Sequence, residues 1–253
     1  MIFPTTRDVG ALVRDYAEER QQLITLLREK GIKEERVLSA FDKVPRHLFV
    51  EDWQKGEAYL DKALPIFGMQ TISRPHTVAF QTQLLDVKPT DKILEIGTGS
   101  GFQAAILSVL GKAVYSIERT EELYRKTKNM FEKNFNSQKY NFNSRVFLRC
   151  GDGFKGWSMY APYDKIIITC GAPEIPTALL DQLKIGGIMV IPLIEKEDAA
   201  PQPEHGRLSG HKANTTLMKK LIKYSENQYQ EEDYGNFSFV PMLKDVISIC
   251  KNK

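Results

Sequence analysis

The sequence predicts an α/β fold, a doubly wound and mostly parallel sheet preceded by an N-terminal helical extension. Three observations carry that expectation. From Pro75 to Pro192 short apolar runs alternate with segments of helical periodicity, the arrangement of successive β-α-β units. The run Lys92-Ile93-Leu94-Glu95-Ile96 breaks into Gly97-Thr98-Gly99-Ser100-Gly101 and resumes as the helical pattern Phe102-Gln103-Ala104-Ala105-Ile106-Leu107. An acidic residue, Glu118, closes the next apolar run about twenty positions beyond Gly97, where nucleotide-binding α/β folds hold ribose hydroxyls.

The elements follow in order. Residues 7–30 and 34–43 have helical periodicity, with Leu12, Tyr16, Leu23, Leu26 and Leu27 toward one side and Gly31 as the stop between them. Val44-Pro45-Arg46-His47-Leu48-Phe49-Val50 leads into an irregular stretch, rich in proline, glycine and aromatic residues, that runs to Ser73. Residues 77–85 read as a helix and 93–96 as the first strand, whose Ile93, Leu94 and Ile96 suit burial on both faces. A helix at 102–110, a strand at 113–117 and a helix at 121–135 come next. The third strand is expected at 145–150, the fourth at 165–169, a helix at 175–183 and the fifth strand at 188–192. There the alternation stops. Residues 195–214 are polar and hold Pro201, Pro203, Gly206 and Gly210, which reads as a mobile surface loop. Residues 216–224 and 237–241 are candidates for two last strands.

Composition narrows the function. In a chain of 253 residues, a net charge of +3 with both signs interspersed predicts neither a nucleic-acid nor a membrane partner. No run approaches the roughly 18 apolar residues of a membrane span, and Met1 to Gly10 lacks an apolar signal core, so a cytoplasmic protein is expected. Cys150, Cys170 and Cys250 form no C-x-x-C pair and read as reduced core residues, although a catalytic thiol at Cys170 stays open. His47, His76, His205 and His211 lack metal-ligand spacing, and no metal is expected.

The glycine spacing selects among cofactors. The dinucleotide fingerprint is G-x-G-x-x-G, whereas Gly97, Gly99 and Gly101 give G-x-G-x-G. Preceded by Glu95, this form resembles the first motif of S-adenosylmethionine-dependent methyltransferases. Further segments are similar, in order, to one family. They are Glu35-Arg36-Val37-Leu38, Val44-Pro45-Arg46-His47-Leu48-Phe49-Val50, Tyr59-Leu60-Asp61-Lys62-Ala63-Leu64-Pro65-Ile66 and Gln70-Thr71-Ile72-Ser73-Arg74-Pro75-His76. Beyond the glycine motif come Gly151-Asp152-Gly153, Ala172-Pro173-Glu174-Ile175-Pro176, Gly186-Gly187 and Phe239-Val240-Pro241. The chain thereby resembles the protein-L-isoaspartate O-methyltransferase family. The glycine motif is shared by many methyltransferases, but the Gln-Thr-Ile-Ser-x-Pro segment is specific. Two departures stand out. The family often has glycines at the positions of Phe67 and Met69, whereas here the glycine is Gly68, and an insertion after Leu193 replaces a short connection.

The resemblance implies a single Rossmann-like methyltransferase domain over residues 1–253: extension and active-site segment at 1–75, nucleotide-binding core at 76–194, loop at 195–214, and C-terminal strands and tail at 215–253. It implies methyl transfer from S-adenosylmethionine to the α-carboxylate of an L-isoaspartyl residue, with S-adenosylhomocysteine as product. The expected partners are isoaspartyl-containing flexible or unfolded proteins and peptides, met by a monomer. A carboxylate with a pKa of about 4 is already ionised at neutral pH, so alignment rather than proton transfer is the demand. Ser73 is implied as the residue that orients the accepting carboxylate, with Gln70, Thr71, Ile72 and His76 against the cofactor. Gly97, Thr98, Gly99, Ser100, Gly101, Gln103, Arg119 and Gly151 are implied as further cofactor contacts, with Glu95 at the methionyl part or the glycine turn, Glu118 at the ribose hydroxyls and Asp152 at the adenine amino group. Val240 and Pro241 are implied at the substrate. Bland alternatives stand beside several of these: a helix cap for Ser73, a turn cap for Asp152, and an edge strand for Val240 and Pro241. Two other functions remain compatible, a same-fold methyltransferase acting on a small molecule or RNA, and a non-catalytic cofactor-binding protein.

Overall fold

The computed structural model describes residues 16–135, 143–194 and 214–247. Part of the first expected helix and nearly all of the 195–214 loop lie outside them. Helices α1 (Ala17–Glu29) and α2 (Glu35–Lys43) open the described chain. Each buries one stripe, Leu23, Ile24 and Leu27 on α1 and Val37, Leu38, Ala40 and Phe41 on α2, at the spacing of an amphipathic helix.

The stretch expected to be irregular before Ser73 contains a small antiparallel pair, β1 (Leu64–Ile66) and β2 (Gln70–Ile72). Strands this short carry too little alternation to be read from sequence. Gly68 and Met69 make the connection at φ values of +76° and +55°. The second is a conformation that a side chain disfavours. Helix α3 (Pro75–Leu85) follows, started by a proline whose missing N–H costs nothing at the first helical position.

The core then runs β3 (Lys92–Ile96), α4 (Phe102–Leu110), β4 (Ala113–Glu118), α5 (Glu121–Asn134), β5 (Val146–Cys150), β6 (Tyr163–Ile168), α6 (Thr177–Gln182) and β7 (Leu183–Ile194). Two long strands, β8 (Asn214–Ser225) and β9 (Gln228–Phe239), complete it. Among the described residues one seven-stranded sheet has the order β5-β4-β3-β6-β7-β8-β9. Pairing is parallel from β5 through β7 and antiparallel for β7–β8 and β8–β9. The doubly wound, mostly parallel expectation is met.

Alternation along the central strands divides the interior in two. Ile93, Val114, Ile167 and Val190 face the core built with α1 to α5, while Leu94, Ile96, Ile166, Ile168, Met189 and Ile191 face the core closed by α6. Both faces are covered, as the apolar run at β3 requires.

Three boundaries differ from expectation. The helix expected at 175–183 is shorter and the fifth strand longer, because Leu183 already pairs with Tyr163. Lys165 next pairs with Ile188, so residues 184–187 bulge outward and hide the start of the strand. The last strand, expected at 237–241, runs instead from Gln228 to Phe239. Its outer face is charged, with Lys219 of β8 paired to Glu231 and Asp233 at 2.9 and 2.7 Å. A register shift between Leu217 and Lys219 breaks the period-2 signal as well.

Candidate active site

The chain passes from β3 to β4 and β5 on one side, then crosses to β6 on the other, so the carboxyl ends of β3, β4 and β6 frame a crevice at the reversal. A cleft opens there. Its floor is the turn after β3. Gly97 has φ +97°, and a β-carbon on it would lie 2.5 Å from Thr169 Oγ1. Gly101 has φ +86°, and a β-carbon on it would overlap the Phe131 ring. Only glycine satisfies both the turn and the packing at these two positions.

Of the residues expected at the site, Gln70, Thr71, Ile72, Ser73, Gly97, Thr98, Gly99, Ser100, Gln103, Glu118, Arg119, Val240 and Pro241 line the cleft together. His76, Glu95, Gly101, Gly151 and Asp152 do not line it. The Asp152 side chain accepts the Phe154 N–H at 2.9 Å and caps the short turn that puts Gly153 on the cleft wall. Gly101 faces α5. Glu95 is fully buried beneath the glycine turn, where it accepts the Ser116 hydroxyl, and Ser116 in turn meets the Thr98 hydroxyl at 2.6 Å. Burial pushes the Glu95 carboxyl up to about 8, against the Ser116 hydrogen bond and with help from Glu118. Burial thus favours its neutral form, and its Oε1 has no hydrogen-bond partner in the protein.

Sequence reasoning missed Val78, Gln81, Thr169, Met242 and Leu243, which also line the cleft. Gln81 is 1% exposed and donates to the Ile168 carbonyl at 2.9 Å. Helical spacing from Ser73 could have suggested it. Met242 and Leu243 belong to a strap, held where the Gly171 N–H donates to the Val240 carbonyl and the Met242 N–H to the Gly171 carbonyl. Arg119 fastens the strap further along, donating to the Lys244 and Asp245 carbonyls at 3.2 Å each. Cys170 lines the cleft, but burial pushes its thiol up to about 12, with Glu118 adding and Arg119 opposing. It is no thiolate nucleophile.

The segment carrying Ser73 is held from both sides. Arg46, 1% exposed, donates to the Ser73 carbonyl at 2.8 Å and to the Ala58 carbonyl at 2.9 Å. Asp61 accepts the His76 N–H at 2.8 Å and pairs with Arg74 at 2.7 Å and Lys30 at 2.8 Å. Burial alone would raise the Asp61 carboxyl, but these three donors hold it well below the usual carboxylate range. An anion at the amino end of α3 also meets the positive end of the helix dipole. No group of three or more His, Cys, Asp or Glu able to hold a metal occurs among the described residues.

The sequence model of the protein-L-isoaspartate(D-aspartate) O-methyltransferase family matches residues 18–242, most of the chain. The chain belongs to this family. A protein-L-isoaspartate O-methyltransferase of Flavobacterium psychrophilum is 46% identical over 226 residues, covering 89% of this chain and 94% of the relative. One from Christiangramia forsetii is 47% identical over 227 residues, with 90% and 95% covered. A solved protein-L-isoaspartate O-methyltransferase superposes with a TM-score of 0.74 at 23% identity, over 90% of this chain and 67% of that one. A Plasmodium falciparum chain assigned to the same activity, solved with S-adenosyl-L-homocysteine, gives 0.71 at 20% identity, over 89% and 99%. These two structural likenesses speak for the fold.

The cofactor of this methyltransferase family is S-adenosylmethionine, and the residues present fit it. The glycine floor admits close backbone approach, and the Glu118 carboxylate on the wall keeps lone pairs free for ribose hydroxyls after accepting one backbone N–H on each oxygen. Val78, Ile96, Phe102, Ile117 and Met242 supply apolar walls beside these few polar groups, the mixture usual in small-molecule sites.

Proposed function

We propose that this protein transfers a methyl group from S-adenosylmethionine to the free α-carboxylate of L-isoaspartyl residues in damaged proteins and peptides, the step that starts their repair. The placement of Ser73 supports this reading most: it shares one cleft with the glycine turn and Glu118 although it comes from a separate part of the chain. When bound, S-adenosylmethionine supplies an electrophilic methyl group. Glu118 takes the ribose hydroxyls, and the backbone from Gly97 to Ser100 receives the polar end of the methionyl part. Glu95 supports that turn from below, through Ser116 and Thr98.

The acceptor carboxylate arrives ionised, so the site needs no general base. Ser73 donates its hydroxyl to one carboxylate oxygen and thereby turns the other toward the reacting carbon. Such orientation lowers the barrier by several kcal/mol. Val240 and Pro241, also on the cleft wall, meet the substrate backbone. Flexible protein segments fit this arrangement, since the damaged residue must enter a cleft walled on one side by residues 240–243. We further propose that the protein works in the cytoplasm as a monomer. Separately, no helix among the described residues is long and apolar enough to cross a membrane.

The test is incubation with methyl-labelled S-adenosylmethionine and two peptides that differ only in L-isoaspartate versus L-aspartate. Base-labile label on the first alone is expected. Equal labelling of both peptides would rule the assignment out.

A further inference from the structure

We infer that Arg46 is a positioning residue for methyl transfer, acting through the Ser73 backbone to set the direction of the Ser73 hydroxyl. The inference rests on the reading of Ser73 given above. Arg46 lies outside the cleft, in a short 3-10 turn after α2, and is among the largest fully buried side chains of the molecule. Burying a guanidinium is costly, and a chain that needed only packing there would place an apolar residue.

The charge is put to specific use. Nε donates to the Ala58 carbonyl at 2.9 Å and Nη2 to the Ser73 carbonyl at 2.8 Å, so one rigid fork ties the cleft wall at Ser73 to the buried turn at Ala58. The guanidinium carbon lies 4.8 Å from the centre of the Phe102 ring, which lines the cleft at the start of α4. Ser73 is therefore referenced, through one planar group, to the helix that follows the glycine turn. The donor and acceptor halves of the site are tied together at that point.

The tie falls on the residue that has to be exact. A hydroxyl rotates freely, so its aim is set by the backbone that carries it, and Arg46 holds the carbonyl of that same residue. On the other side Asp61 holds the His76 N–H and the Arg74 side chain. Carbonyl and N–H are gripped by opposite charges, and the two residues between, Arg74 and Pro75, have little freedom to slide. Burial disfavours the charged form of Arg46, and Asp61, which belongs to this grip, opposes that together with Tyr59. Its Nη1 is buried with no partner in the protein. Lysine, a compact point charge on a flexible stem, lacks the planar fork that fixes the two carbonyls in one geometry.

The experiment compares the whole enzyme, Arg46→Lys, Ser73→Ala and the double variant with an isoaspartyl peptide, reading kcat, KM, the Kd for S-adenosylhomocysteine and the melting temperature. Misplacement of a reacting group by a fraction of an ångström is expected to lower kcat about tenfold or more in Arg46→Lys, with the Kd held within about twofold. The double variant is expected to be no slower than the slower single variant by more than about twofold, because both changes act on one hydroxyl. A kcat within about twofold of wild type in Arg46→Lys, or losses that multiply in the double variant, overturns the inference. A Kd that rises in step with the kcat loss also overturns it, since that is what loosened packing alone would do. Unchanged turnover in Ser73→Ala removes the Ser73 reading itself, which is a separate result. Should Arg46→Lys not fold, the wild type decides: guanidinium NMR signals of Arg46 are expected to show slow rotation of Nη2, and a freely rotating, fast-exchanging group overturns the proposal.

Discussion

Gly99 donates its backbone N–H to one carboxylate oxygen of Glu118 at 2.9 Å, and the other oxygen accepts the Thr120 N–H at 2.9 Å. The acid at the end of β4 thus shapes the glycine turn that it faces. On the proposed reading removing it costs twice: an acceptor for the ribose is lost, and two N–H groups of the cleft lose their partner. Hydrogen bonds to charged groups contribute about 1.5–3 kcal/mol each, so Glu118→Ala is expected to raise the Kd for S-adenosylhomocysteine about 10- to 100-fold. Titration calorimetry measures it. A Kd equal to wild type would remove Glu118 from the cofactor site.

Ser73→Ala separates alignment from binding. The substitution deletes one hydroxyl and leaves the carbonyl held by Arg46, so the local backbone should keep its place. Turnover on an isoaspartyl peptide is expected to fall about 10- to 100-fold, with cofactor affinity changed by less than about threefold. Steady-state kinetics beside calorimetry reads both. Equal losses in both quantities would mark Ser73 as a cofactor contact only.

Much of this site was legible in the sequence because the relevant signals were local. A glycine turn between an apolar run and a helix leaves a contiguous signature, and Gly97 to Ser100 and Glu118 lie at the cleft as that signature implies. The placement of Ser73 was legible by family resemblance rather than by pattern, since the strand leading to it has three residues. What sequence did not yield depends on distant contacts. Arg46 sits in an ordinary-looking Pro-Arg-His turn, and its burial arises only when α2, Ala58 and Ser73 converge. Val78 and Gln81 reach the cleft because α3 crosses the end of β6, and Met242 and Leu243 because Gly171 pairs with the tail strap. Glu95 illustrates the opposite case, a residue followed in sequence by Ile96 and Gly97, which line the site, while its own side chain is buried away from it.

Asp61 makes stability depend on acidity at the low end. Its folded-state pKa lies below its unfolded value near 3.9, so its contribution is present above that pH and is lost as pH falls toward the folded value. Asp61→Asn is expected to be less stable than wild type at pH 7, with the gap closing below about pH 4. Its partners Lys30 and Arg74 are 37% and 44% exposed, so added salt should narrow the gap at neutral pH. Denaturant melts at several pH values and two salt concentrations check both. A gap independent of pH would assign the effect to packing.

Glu95 acts in the reverse sense. Burial raises its folded pKa to about 8, above the unfolded value near 4.3, so the native state holds the proton more tightly than the unfolded chain does. Its contribution is complete below about pH 4 and declines as pH rises to about 8, where further loss ends. Glu95→Gln keeps an oxygen to accept the Ser116 hydroxyl and cannot ionise. The absolute stability of the variant carries an offset from its own buried amide, so the slope is the quantity to compare. Between pH 5 and about 8 the variant should gain steadily on wild type, and the two curves should run parallel beyond. Parallel curves throughout would mean that Glu95 is ionised at neutral pH, with its second oxygen satisfied by buried water.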